Sequence, residues 1–240
     1  MGGFFMFNKK TIRALEQFAD NVHWTKSLPT EQSMRNLEES LVEILYANKS
    51  HKGNGLLITG NGYFLTVDHS ERDPDEECPP AKYIRDYKKN IYPIRKICQT
   101  DEREDIALLK AEIPGEKIHI EYKIYNTNNL KNFKISEFPV IMKARHNGKI
   151  NHRPGSLILK HVINKQFNYT NQFGTDVPII SGDSGGIVIS SYGELVGFVS
   201  NGFEEEEFEI WEKQIVRSYC SKIFTGLNLI KKEINSLRGF

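Results

Sequence analysis

Ser181-Gly182-Asp183-Ser184-Gly185-Gly186 runs directly into Ile187-Val188-Ile189. Glycine weakens strands and costs conformational entropy, so three glycines around Ser184 need a physical reason. A tight loop supplies one: it exposes the serine Oγ and turns backbone N–H groups toward one point, where negative charge on an oxygen can be stabilised. An ordinary Gly-rich turn before a strand is the competing reading for Gly-Asp-Ser-Gly alone. Six matching positions weigh against it.

Outward from this loop the chain reads as short strands. Leu56-Leu57-Ile58 and Tyr63-Phe64-Leu65-Thr66-Val67 flank Gly60-Asn61-Gly62, whose Asn-Gly supplies positive φ angles for a tight hairpin. Ile118, Ile120, Tyr122 and Ile124 alternate with polar residues, as a half-buried strand does. Phe138 to Met142, Leu157 to Ile163, Ile187 to Ile189 and Leu195 to Val199 are further apolar runs. Many short strands divided by turn residues, with no strand-helix-strand rhythm, indicate a mainly β barrel or sandwich.

Helices bracket the strands. Residues 10 to 47 read as two amphipathic helices: Ile12, Leu15, Phe18 and Val22 share a face, Pro29-Thr30 restarts the pattern, and Met34, Leu37, Leu41, Ile44 and Leu45 follow at steps of three and four. Ile223, Leu227, Ile230, Ile234 and Leu237 mark a C-terminal amphipathic helix with a cap at Thr225. The expected division is 1–51 as a helical extension, 52–222 as the β domain and 223–240 as the terminal helix.

The 240 residues carry 32 basic and 31 acidic side chains, a net charge of +1. No global field draws in nucleic acid or an anionic membrane, so neither is an expected partner. The basic, tyrosine-interleaved stretch Lys82 to Lys96 and the acidic stretch Glu204 to Glu207 with Glu209 and Glu212 read as solvated loops. Cys78, Cys98 and Cys220 are odd in number and widely spaced, which writes neither a disulfide framework nor a metal knuckle. The apolar start Met1 to Phe7 meets Asn8-Lys9-Lys10 before reaching signal-peptide length. A cytoplasmic setting is expected, with no metal and no cofactor: His-Glu-x-x-His and phosphate-loop patterns are missing.

Four strings together resemble the chymotrypsin-type (trypsin-like) serine peptidases. Gly182-Asp183-Ser184-Gly185-Gly186 matches the nucleophile motif, Leu65-Thr66-Val67-Asp68-His69 the histidine segment, and Asp105-Ile106-Ala107-Leu108-Leu109 the aspartate segment. Leu195 to Gly202 stands where a substrate-lining strand runs. The likeness covers about residues 52 to 222. It implies two antiparallel six-stranded β-barrels with the site between them, and a serine endopeptidase in which His69, Asp105 and Ser184 form a triad. It also implies an oxyanion hole from the backbone N–H groups of Gly182 and Ser184. The chemistry of the residues agrees, since serine needs a base near neutrality and histidine is that base. A catalytically silent binding module on the same scaffold is the alternative.

Departures from the family set further expectations. Ser70 and Ser181 replace half-cystines of the secreted members. No Ile-Val-Gly-Gly segment offers an N-terminus to pair with Asp183, which therefore needs another partner. Asp68 beside His69 is harmless if exposed and weakens the base if it lies against the ring. The resemblance puts the specificity floor at Pro178, and Thr175 to Ile180 is similar to HtrA-type peptidases. Pro178, Ile179, Ser200, Asn201 and Gly202 are then the substrate-binding residues, favouring a small to medium apolar side chain on a polypeptide substrate. The N-terminal helices are a candidate docking place for a protein partner.

Overall fold

A computed structural model describes residues 2–20, 30–70, 81–114, 138–164, 169–203, 209–211 and 214–239. Two helices come first, α1 (Gly2–Asp20) and α2 (Glu31–Ser40). Thr30 caps α2, its Oγ1 accepting from the Ser33 N–H at 3.1 Å, as the Pro29-Thr30 signal anticipates.

The second helix ends at Ser40 rather than near residue 47. Leu41–Leu45 is strand β1, fully buried along its length. A short run buried on both faces has no alternation, so periodicity cannot separate it from a buried helix. Barrel closure decides, because β1 pairs antiparallel with β2 (His51–Leu57) on one side and β4 (Tyr83–Arg85) on the other. With β3 (Tyr63–Thr66), β5 (Ile91–Asp101) and β6 (Ile106–Ala111) they form a closed barrel in the order β1-β2-β3-β6-β5-β4. The barrel therefore starts inside the stretch expected to be a helical extension. In the β2–β3 turn only Gly62 takes a positive φ, 97°, and Asn61 does not, so the turn is not the two-residue type expected. Instead the Gly62 N–H donates to Thr59 O at 3.1 Å.

The second closed barrel is β10-β11-β14-β9-β8-β7. Its strands are β7 (Pro139–His146), β8 (Lys149–Asn164), β9 (Tyr169–Thr175), β10 (Ile187–Ser190), β11 (Leu195–Gly202) and β14 (Ser218–Lys222). A small hairpin, β12 (Glu209–Trp211) and β13 (Gln214–Val216), forms a separate two-stranded sheet whose Val216 packs on Leu159 and Tyr219 of the second barrel. The basic Lys82 to Lys96 stretch spans the β4–β5 hairpin. The expected strand Ile118 to Ile124, Cys78, Val22 and most of the acidic stretch lie outside the described residues.

Helix α3 (Ile223–Arg238) starts directly after β14, with Lys222 at its N-cap position. Thr225 is not the cap: it sits in the first turn and its hydroxyl donates to Glu104. Leu15 and Phe18 of α1, Leu37 of α2 and Ile223, Leu227, Ile230 and Ile234 of α3 join one apolar cluster with Phe64, Leu65 and Leu108 of the first barrel. Burying each such side chain contributes about 1.5–3 kcal/mol. These apolar side chains of the helices are thus covered by this chain itself. Among the described residues no helix is long and apolar enough to cross a membrane, and no group of three or more His, Cys, Asp and Glu side chains could hold a metal ion.

Candidate active site

Strand pairing sets two of the site residues side by side. β3 and β6 are antiparallel neighbours with Thr66 opposite Ala107. The turn Asp68–Ser70 follows β3 and Asp105 immediately precedes β6, so His69 and Asp105 emerge at one end of the first barrel. Asp105 takes a left-handed φ of 51°, which aspartate tolerates better than most residues. Its Oδ1 accepts from the His69 backbone N–H at 2.9 Å, and its Oδ2 lies 2.9 Å from His69 Nδ1.

Asp105 is fully buried. Burial pushes its carboxyl up, but the facing His69 and the hydrogen bonds from His69 and Ser200 outweigh that and hold it below the usual range. A carboxylate only accepts, so His69 Nδ1 carries a hydrogen, and in the neutral ring Nε2 is left as an acceptor. Ser184 Oγ stands 3.0 Å from that nitrogen. The three side chains therefore form one hydrogen-bonded line, with His69 about one-third exposed to solvent at 34%.

Ser184 belongs to the β9–β10 loop of the second barrel, and the loop is pressed against the first. The Asn54 N–H donates to Ser184 O at 2.7 Å. A Cβ at Gly185, whose φ is 76°, would lie 1.9 Å from Asn54 O, so glycine is required there by both backbone angle and space. The Gly186 N–H donates to Asp183 O at 2.8 Å. Among the described residues the Gly182 and Ser184 backbone N–H groups make no backbone hydrogen bond, which leaves both available to a ligand oxygen.

Asp183 finds the partner that the sequence leaves open. Its carboxylate accepts from Arg153 Nη1 and Nη2, the latter at 3.0 Å, from His146 Nε2 at 2.8 Å and from the Ile180 N–H at 2.8 Å. Burial raises its pKa, and His146, Arg153 and the Ile180 N–H more than reverse this. The carboxylate is thus ionised and fully enclosed. A second imidazole, His51, stacks obliquely on His146 with ring centroids 4.6 Å apart, and its Nε2 donates to Gly182 O at 2.9 Å.

Asn54 is a site residue that sequence reading misses. It is fully buried and uses every polar group it has: N–H to Ser184 O, Nδ2 to Gly182 O at 2.8 Å, Oδ1 from the Arg145 N–H at 2.7 Å, and its carbonyl from Thr66 Oγ1 at 2.7 Å. The only local signal is an asparagine between two glycines in a strand. Its partners, Arg145 and Gly182, lie 91 and 128 residues away.

The expected substrate residues are placed unevenly. Ser200 is fully buried, and its hydroxyl is committed to Asp105 rather than turned to a cleft. Its carbonyl instead faces Ser184 Oγ at 3.3 Å. Pro178 O accepts from Arg153 at 2.9 Å and Ile179 packs on the second barrel's core. Asn201 and Gly202 continue β11, with Gly202 exposed and opposite Ser218. Asp68 is buried, not exposed, at 4%. With burial first and the Asp105 carboxylate next, Asp68 pushes the Tyr169 phenol above its ordinary value.

Structure comparison finds the same architecture elsewhere. The crystal structure of Deg5 matches with a TM-score of 0.60 at 18% identity, covering 82% of this chain and 90% of that one. The serine endoprotease from Yersinia pestis matches with a TM-score of 0.57 at 18% identity, covering 87% of this chain and 68% of that one. The fold is trypsin-like. Among sequences, a probable periplasmic serine endoprotease DegP-like from Pseudomonas fluorescens is 31% identical over 150 residues, and one from Pseudomonas fulva is 29% identical over 154. These alignments cover 62% and 63% of this chain and 29% of each relative's own length. No family model matches the sequence. Of the departures from the family pattern, Ser70 is buried beside β2 and Ser181 is exposed. A Cβ on Gly53 would lie 2.8 Å from Ser184 O and 3.4 Å from the Ser70 hydroxyl.

Proposed function

We propose that the chain is a serine endopeptidase that hydrolyses peptide bonds through an acyl-enzyme. The observation that carries this is the line Asp105, His69, Ser184, with 2.9 Å and 3.0 Å between successive polar atoms. Ser184 Oγ attacks the substrate carbonyl carbon as its proton passes to His69 Nε2. The carbonyl electron pair moves to oxygen, where the N–H groups of Gly182 and Ser184 meet the developing charge. Losing one such donor typically costs about 10²–10³ in turnover. Collapse breaks the C–N bond, His69 gives its proton to the leaving amine, and water then releases the acyl group by the same sequence. Asp105 stabilises the imidazolium without taking the proton.

The pocket reading is a small to medium apolar residue before the cleaved bond. Its support is the uncharged segment Val177 to Ile180 and the capture of the nearby Arg153 by Asp183 and Pro178 O, which removes that cation from substrate recognition. Peptides with Val, Ala, Phe, Arg and Glu at this position test it, and fastest cleavage after Arg would refute it. A partner at the N-terminal helices would leave Leu15, Phe18 and Leu37 in the core and use exposed residues such as Glu31 and Arg35; rates with and without residues 1–40 test that role. The relatives are named periplasmic, whereas our reading of the unpaired Cys98 and Cys220 is a reducing, cytoplasmic setting. Cell fractionation separates the two.

A fluorophosphonate probe tests the assignment as a whole. Labelling of the wild type and not of Ser184→Ala is expected, and no labelling of either would point to the silent binding module.

A further inference from the structure

The hydrogen-bonded line continues behind Asp105, away from the cleft. Ser200 Oγ donates to Asp105 Oδ2, and Gln172 Nε2 lies 2.8 Å from the same Ser200 oxygen. Gln172, on β9, and Ser200, on β11, belong to the second barrel, while Asp105 belongs to the first. All three are fully buried.

Counting protons sets every direction in this chain. Asp105 is an ionised carboxylate and only accepts, so the single hydroxyl proton of Ser200 goes to it. The Ser200 oxygen can then only receive from Gln172, which requires the amide nitrogen to face inward. An amide turned the other way would offer Oε1, a second acceptor, and Ser200 would have to divide one proton between two acceptors. The required orientation has a cost. Gln172 Oε1 is buried and, among the described residues, has no hydrogen-bond partner. A buried acceptor left in this state is destabilising, and an apolar side chain of similar size would avoid it.

We propose that Gln172 is a positioning residue for the peptidase reaction: by occupying the lone pairs of Ser200 it commits the Ser200 proton to Asp105 and so keeps that carboxylate aimed at His69 Nδ1. The inference rests on the peptidase reading above and extends it by one residue. Gln172 touches neither substrate nor the reacting atoms, and its action passes through Ser200.

The test compares the wild type with Gln172→Met, Gln172→Leu, Ser200→Ala and the double variant Gln172→Met with Ser200→Ala. Each is followed by steady-state kinetics across pH and by thermal unfolding. Both apolar variants are expected to unfold at the wild-type temperature or above it, because the orphaned acceptor is gone, yet to lose about tenfold in kcat with KM unchanged. Their acid limb of kcat/KM is expected to move to higher pH, since a Ser200 hydroxyl no longer held by Gln172 donates less firmly to Asp105, and a carboxylate less well satisfied holds the imidazolium more firmly. The double variant should lose no more than Ser200→Ala alone. Wild-type kcat with a lowered unfolding temperature would assign Gln172 to packing only, and additive losses would show that it does not act through Ser200; either overturns the proposal. A labelled, active wild type with unaltered apolar variants defeats this inference alone. A wild type that neither labels nor cleaves defeats the peptidase reading and this inference with it.

Discussion

Asp105 and Asp183 are both fully buried, and each meets an imidazole nitrogen, His69 Nδ1 at 2.9 Å and His146 Nε2 at 2.8 Å. They differ in what else they hold. Asp183 also binds the guanidinium of Arg153, a cation at every working pH. Asp105 meets no cation except His69 among the described residues, and it otherwise accepts from two hydroxyls, those of Ser200 and Tyr169, and from a backbone N–H. Charge is therefore already balanced at Asp183, whereas at Asp105 it becomes balanced only when His69 gains a proton. The first arrangement is a strut beneath the Gly182–Ser184 loop. The second suits the proton that the proposed reaction would bring to His69. Glu43 belongs with the strut: it is fully buried and takes Arg85 Nε at 2.7 Å and Nη2 at 2.9 Å.

Four measurements press on that contrast. The largest effect is expected from Ser184→Ala, a loss of about 10⁶-fold in kcat with the unfolding temperature unchanged. Retained turnover would mean that the line ending at Ser184 transfers no proton. Asp105→Asn should cost about 10⁴-fold, because the amide favours the wrong imidazole tautomer, again with little change in stability. A comparable loss of stability would move Asp105 into the strut class.

Arg153→Met tests the opposite half. It leaves a buried carboxylate short of its permanent cation and should destabilise by about 3 kcal/mol, read as a lower midpoint in urea at constant slope. An unchanged midpoint would show that His146 alone balances Asp183.

Acid provides the smallest and most general test. The Glu43 carboxyl is lowered from 4.5 to about 2; burial opposes this, but His51 and Arg85 outweigh it. A depressed pKa contributes stability above the unfolded value, and that stability is lost as pH falls from about 4.5 through about 2. Across that window the group is worth roughly 2–3 kcal/mol. Glu43→Gln is expected to be less stable than the wild type at neutral pH, with the gap closing as the pH approaches 2 in thermal melts. A gap independent of pH would mean that the charge of Glu43 is not what matters.

Much of this contrast was legible in the residues. Ser184 stood out because glycines at 182, 185 and 186 have no use in a plain strand, and the structure puts one of them, Gly185, against Asn54 O. His69 and Asp105 are singled out by the strings Leu65 to His69 and Asp105 to Leu109, which resemble the trypsin-like peptidases, and the apolar runs in those strings are neighbouring strands. What escaped the sequence has a common character. Arg153, His146 and Gln172 sit among residues with no local pattern, Asn54 has only its two flanking glycines to mark it, and the partners of all four lie far along the chain. Leu41–Leu45 was misread for a related reason, since a strand buried on both faces carries no period of its own. Sequence leaves Asp68 either exposed or against the ring, and the structure buries it where it helps to raise the Tyr169 phenol.

Local chemistry in the chain determined which side chains could serve as nucleophile, base and orienting carboxylate, and that the protein would be built of short strands with helices at either end. Backbone angles and hydrophobic runs are properties of neighbouring residues, so they survive in a linear reading. Only the closed barrels decided that Asp183 would be neutralised by Arg153 and His146, that Asn54 would join the two halves, and that the Ser200 hydroxyl would face inward. Those outcomes depend on the burial of charges and lone pairs, and a polar group's energy in the interior is set by what packs against it from distant parts of the chain.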